Sequence, residues 1–313
     1  MVETVCFDIQ VNGYAGLDFN ADDWELDDLH RIIDRLTSDG VPKILPTIIT
    51  DEIDTMVRRI GRIATAIEGN PRVADAFAGI HVEGPFLSAV EGYRGAHPLA
   101  SIRAACLESA KRLVDAGQGH VRLFTLAPEQ DADGCVTRLL ADRGICIAAG
   151  HTDASLDTLN RSLDAGLRLF THLGNGCPAM LPRHDNIIQR VLSLADRLHI
   201  SLIADGHHLP PFVLRNFLAI IPRERVILVT DAVAAAGMGP GTHFVLGQEV
   251  FVDEQGACWS ADRTHFAGSA ATMPEMRRVL REIFELGDDR HVDFDWWRQW
   301  TDRNPHAVLE ASS

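Results

Sequence analysis

The sequence predicts an α/β protein in which eight parallel strands close into a TIM-type (β/α)8 barrel. Short β-rich apolar runs, eight in all, alternate with longer stretches whose apolar residues recur every three or four positions. Strand–helix alternation implies parallel pairing through right-handed crossovers. A length of 313 residues accommodates eight such units in one barrel. An open, doubly wound sheet is the alternative.

The strands are expected at Val5–Val11, Ile44–Ile49, Ala76–Val82, Val121–Leu126, Ile145–Ala149, Leu167–Thr171, Ile200–Ala204 and Val226–Thr230. Helical periodicity marks Trp24–Ser38, Ile53–Ile67, Leu99–Ala116, Ser155–Ala165 and Pro211–Ile220 between them. Two segments break the rhythm. Gly84–Pro98 is a glycine-containing loop after the third strand. Gly237–Thr264 follows the eighth, and its alternating HFVLGQEVFVDEQGACW reads as an inserted hairpin. Thr272–Leu286 and Asp293–Arg303 read as closing helices. With no repeat and no linker, the expected organisation is one barrel domain over residues 1–313, with the hairpin at about 240–265.

Composition narrows the function. Apolar residues at 46% supply a large core. A net charge of −15, from 29 basic and 44 acidic residues, disfavours nucleic acid. Local arginines can still hold a small anion. Six cysteines without a C-x-x-C pair read as free thiols in a reducing cytoplasm. The N-terminus lacks a signal-peptide pattern, and no apolar run has the length of a membrane span.

Titratable and polar residues gather at the C-terminal ends of the expected strands: FDIQVNG, GIHVEGP, AAGHTDAS, LFTHLGNG, LIADGHH and ILVTDA. In a barrel these ends face one mouth. Glu83, His151 and His172 come from three of them. One carboxylate and two imidazoles form a common catalytic zinc set that leaves a position for water, and the same set accepts iron or manganese. The competing reading of each histidine is a hydrogen bond within its turn. Asp231 ends a buried run, where a carboxylate needs a cation or donor to offset desolvation. Its competing reading is a helix N-cap for Ala232–Ala236. Asp205 and Asp153 suit capping or support of neighbouring side chains.

The motifs HVEGPF, YRGAHP, GHTDAS, THLGN, ADGHH, LVTDAVAAAG and FAGSAATM occur in this order. Together they resemble the N-acetylglucosamine-6-phosphate deacetylase family of the amidohydrolase superfamily, from Asp8 to about Leu309. The resemblance implies Glu83, His151 and His172 as ligands of one divalent metal, most simply zinc, and Asp231 as general base and then general acid. It implies that His97 and His208 contact substrate, and that Asn175 and Gly176 line a sugar-phosphate pocket. Arg183, eleven residues beyond His172, matches an arginine that grips phosphate across a homodimer. The implied reaction is removal of the N-acetyl group from an amino sugar phosphate, giving acetate and the free amine. Other amidohydrolase activities, on an N-acyl amino acid or a cyclic amide, use a similar site. A non-enzymatic binding protein on a decayed barrel is the other alternative, and the intact Glu83, His151, His172 and Asp231 speak against it.

The sequence departs from the family pattern at four places. Most amidohydrolases have H-x-H at the end of strand one; here Gln10 and Asn12 stand there, which implies a single metal. These amides read either as vestigial metal-site positions or as turn hydrogen-bonders. The family's N-A-M-P becomes Asn175-Gly176-Cys177-Pro178, and Arg183 lies in LPRHDN rather than a glycine-flanked loop. The small β-sandwich that accompanies the barrel in the family is expected to be absent from these residues.

Overall fold

The computed structural model describes residues 5–245, 247–284 and 295–310. Eight strands pair in parallel and in sequence order: β1 (Phe7–Val11), β2 (Lys43–Ile49), β3 (Ile80–Glu83), β4 (Val121–Leu126), β5 (Cys146–Ala149), β6 (Leu167–Phe170), β7 (His199–Leu202) and β8 (Val226–Leu228). A doubly wound sheet would reverse its order midway; this one does not. The first and last strands meet through a parallel bridge from Val11 to Ala232, and Ala232 O accepts from both Asn12 N and Gly13 N. The fold is therefore a (β/α) barrel.

The helices lie outside it: α1 (Leu26–Ser38), α2 (Ile53–Gly69), α3 (Pro71–Ala76), α4 (Leu107–Ala116), α5 (Cys135–Ala141), α6 (Leu156–Ala165), α7 (Ile187–Leu192), α8 (Pro211–Ile220), α9 (Met273–Ile283) and α10 (Asn304–Glu310). Four of these, at six or seven residues each, are too short to show a helical period in sequence. α3 begins where the Asn70 side chain accepts from Arg72 N and Val73 N, with Pro71 in the first turn. It occupies the start of the stretch expected as the third strand, so that strand begins at Ile80 and carries Glu83 on its last residue. The helix expected from Leu99 starts only at Leu107; Leu99–Ser101 is a single 3-10 turn. The second closing helix was expected to begin at Asp293, which lies outside the described residues. The structure has a π-helical turn, Gln299–Arg303, that runs into α10.

Two apolar layers hold the barrel. Phe7, Ile9, Leu45, Leu123, Leu169 and Ile227 fill its interior, with Val308 and Leu309 of α10 joining this cluster. A larger layer joins the strands to the helices. A register irregularity in β1 between Asp8 and Val11 changes the alternation. Phe7 and Ile9 belong to the interior layer while Val11 belongs to the outer one. That re-phasing turns Gln10 toward Glu83. In the stretch read as a hairpin, three antiparallel strands form a small sheet, β9 (Gly241–Val245), β10 (Gln248–Val252) and β11 (Cys258–Ser260). It stands beside the barrel mouth, and Val245 lines the cavity there. No described helix is long and apolar enough to cross a membrane.

Candidate active site

A cavity of about 270 Å³ opens at the C-terminal ends of the strands. That is at the small end of small-molecule sites, which run to roughly 300–1,000 Å³. Glu83, His97, His151, His172, His208 and Asp231 all face it. A larger space of about 730 Å³ lies beside it, lined in part by Arg31 and Arg59. Those arginines are engaged by Asp28, Asp22 and Asp51. The convergent titratable groups are in the smaller cavity.

Glu83 is its centre. Oε1 lies 3.2 Å from His172 Nε2 and 3.4 Å from His151 Nε2. His151 Nε2 is in turn 3.3 Å from His97 Nε2. The ligand atoms of Glu83, His97 and His151 all fall within 4.8 Å of one another. His151 Nδ1 lies 2.9 Å from the Tyr93 carbonyl. A carbonyl only accepts, so Nδ1 carries the proton and the Nε2 lone pair of a neutral ring faces the Glu83 oxygen. Two electron-rich atoms in that arrangement repel unless a cation or proton sits between them. Nitrogen and oxygen ligands about 2.0–2.1 Å from a tetrahedral zinc are separated by roughly 3.3–3.4 Å. The donor set and its spacing thus fit a divalent cation. His97 Nδ1 and His172 Nδ1 are buried without a partner.

The electrostatics agree with this geometry. Burial pushes the Glu83 carboxyl up, but positive charge shared with the facing His151 and His172 nitrogens outweighs it and holds Glu83 well below the usual carboxylate range. Burial, then the neighbouring His151, lower His97 to about 3, so its ring is neutral. Asp231 is raised, first by burial and then by the negative charge of Glu83. A raised carboxyl in a cleft is the behaviour of a proton carrier. His151, His172 and Asp231 also have positive φ, at 51°, 33° and 50°. Such conformations cost non-glycine residues about 1–3 kcal/mol each and cluster at functional sites.

The amides at strand one have a defined job. Gln10 Nε2 donates to Glu83 Oε1 at 3.0 Å, and Gln10 Oε1 accepts from Thr171 Oγ1. Asn12 Nδ2 donates to Asp231 Oδ1 at 2.8 Å. Gln10 reaches the end of β3 and Asn12 reaches Asp231 beyond β8, which corrects the reading of local turn hydrogen bonds. The N-cap alternative for Asp231 also fails: Ala234–Gly237 form a turn rather than a helix, and the carboxylate is taken by Asn12.

His208 Nδ1 lies 2.7 Å from Asp205 Oδ2, and Asp205 Oδ1 accepts from His207 N and His208 N. Asp205 thereby fixes the His208 ring at the cavity edge, with Phe266 packed 5.1 Å from it. Asn175 and Gly176 line the cavity, and Asn175 Nδ2 is buried without a partner. Arg183 is exposed and does not line this chain's own cavity. Sequence reasoning placed His97 against substrate; the structure places its ring among the candidate metal donors. It also gave no role to the Tyr93 carbonyl, because a backbone acceptor leaves no trace in residue type.

Fold and site together define a TIM barrel of the amidohydrolase type. No family profile matches the chain. The bovine (Bos taurus) N-acetylglucosamine-6-phosphate deacetylase is 36% identical over 277 residues, 85% of this chain and 65% of the relative. The N-acetylgalactosamine-6-phosphate deacetylase of Escherichia coli O157:H7 is 30% identical, over 89% of this chain and 71% of the relative. A mutant N-acetyl-D-glucosamine-6-phosphate deacetylase from Mycobacterium smegmatis, in complex with N-acetyl-D-glucosamine-6-phosphate, superposes with a TM-score of 0.85 at 27% identity. That match covers 98% of this chain and 77% of the other. The chain belongs to the N-acetylglucosamine-6-phosphate deacetylase family. It spans just under two thirds of the length of the bovine relative.

Proposed function

We propose that this protein is a metal-dependent deacetylase that hydrolyses the acetamide of an amino sugar phosphate to acetate and the free amine. The observation that carries it is the convergence of Glu83, His151 and His172, with His97 beside them, on one small cavity that Asp231 also faces. Glu83, His151 and His172 would hold one divalent cation, zinc in the simplest case, with His97 close enough to join them. Such a cation supplies Lewis acidity and makes water a competent nucleophile near neutral pH.

Asp231 takes the proton from the attacking water and returns it to the amine nitrogen, so that the carbon–nitrogen bond can break. Asn12 holds its carboxylate in place. His208, its Nδ1 held by Asp205, stands at the cavity edge to contact the substrate. Asn175 and Gly176 form the wall against which the sugar lies. Six free thiols fit a cytoplasmic enzyme.

Arg183 would act on the partner subunit's phosphate in a twofold homodimer. Its exposure, outside its own cavity, supports that role. Arg183→Ala is expected to raise KM about tenfold or more for the phosphorylated sugar and to leave the unphosphorylated one unchanged. Light scattering that shows a monomer at working concentration would refute the dimer.

The relatives include enzymes for both hexosamine epimers, so the test is a panel. Acetate release is measured from N-acetylglucosamine and N-acetylgalactosamine, each with and without the 6-phosphate, on zinc-loaded protein. Preferential hydrolysis of a 6-phosphate is expected. Release from none of the four, with one equivalent of metal bound, overturns the substrate assignment.

A further inference from the structure

Arg190 lies on α7, outside the cavity, with its side chain only 14% exposed. Its Nε donates to Asp185 Oδ1 at 2.6 Å. Its NH1 donates to Asp153 Oδ1 at 2.9 Å and to the Ala154 carbonyl at 3.2 Å. Asp185 belongs to the loop after β6, which also carries Asn175, Gly176 and Arg183. Asp153 and Ala154 belong to the loop after β5, two and three residues beyond His151. One guanidinium therefore ties together the two loops that hold recognition residues and a candidate metal ligand.

The tie extends to a third loop. Asp153 also faces the Tyr93 hydroxyl; burial, then the Asp153 carboxylate, push the phenol up to about 12. The Tyr93 backbone carbonyl holds His151 Nδ1. Tyr93 sits in the loop after β3, which carries His97. The same loop presses on the loop after β6, where a side chain at Gly92 would come 2.7 Å from Pro178.

We propose that Arg190 is a positioning residue that staples the loops after β3, β5 and β6 into one wall and so sets the place of Asn175 and Gly176 against the substrate. It touches no reacting atom. A guanidinium makes these contacts because its planar fork presents several donors at fixed angles. Lysine keeps the charge but has one nitrogen, which cannot satisfy Asp153, Asp185 and the Ala154 carbonyl together.

The kinetic half of the test rests on the deacetylase reading; the structural half does not. Arg190→Lys is compared with wild type by hydrogen–deuterium exchange of the zinc-loaded protein. Residues 172–186 and 84–98 are expected to exchange at least tenfold faster, with the barrel strands unchanged. KM for the hexosamine 6-phosphate is expected to rise tenfold or more, with kcat within threefold. Should Arg190→Lys fail to fold, Asp185→Ala removes one arm of the tie from an exposed position, and both readouts are expected to move the same way by a smaller factor. Unchanged loop exchange overturns the proposal, and so does an equal fall of kcat and kcat/KM at constant KM. Wild-type protein that releases no acetate refutes the substrate assignment alone, since the exchange result still decides the role of Arg190.

Discussion

Replacing Gln10 with leucine keeps the volume but removes two buried hydrogen bonds. Gln10 Nε2 donates to Glu83 Oε1 at 3.0 Å, and Gln10 Oε1 accepts from Thr171. Glu83 is 3% exposed, so water cannot replace the lost donor. A hydrogen bond to a charged group contributes about 1.5–3 kcal/mol. The bonded oxygen is the one that also faces His151 and His172, so freeing it lets the carboxylate rotate out of the ligand geometry. Partners that orient metal ligands are worth about 10- to 100-fold in affinity, or about 1.4–2.7 kcal/mol, which agrees with the hydrogen-bond figure. Zinc competition against a chromophoric chelator measures this directly, with circular dichroism as the control for folding. An affinity within twofold of wild type, in a folded variant, would refute the claim that Gln10 orients Glu83.

Three further outcomes follow from the same geometry. Asp231→Asn should lower turnover by about 10²–10⁴ while metal content is kept; near-normal turnover would remove Asp231 from the proton path. Gly84→Ala should destabilise the fold by about 2–4 kcal/mol, because φ there is +85° and the new Cβ would lie 2.0 Å from Thr50 Oγ1. An unchanged denaturation midpoint would contradict that packing. His199 is buried, and desolvation followed by the Arg225 charge lower its pKa from 6.5 to about 4. The unfolded chain therefore takes up this proton first, so its contribution is full above pH 6.5 and is lost as the pH falls toward 4, by at most roughly 3 kcal/mol. His199→Gln should flatten the fall in urea stability between pH 7 and pH 4.5; an unaltered slope would count against it.

The sequence by itself determined the barrel and where its chemistry stands. Strand–helix alternation is a local signal, and a residue at a strand end is at the mouth of any (β/α) barrel. Glu83, His151, His172 and Asp231 were legible on that ground alone, from the pattern of apolar runs that end in titratable residues, whereas His208 entered through the family resemblance. Helices α3, α5, α7 and α10 were not legible, since six or seven residues hold fewer than two full turns of periodicity. The partners within the site were not legible either. Gln10 meets Glu83 across 73 residues and Asn12 meets Asp231 across 219, pairings fixed by closure of the barrel and by the irregularity in β1. The tautomer of His151 is set by a backbone carbonyl, which every residue type possesses. Arg190 reads in sequence as one more helix cation; only the packing of three loops gives it two carboxylates and a carbonyl to hold at once. Local patterning encodes what each element is and which residues end it, whereas hydrogen bonds between distant elements exist only after the chain has closed on itself.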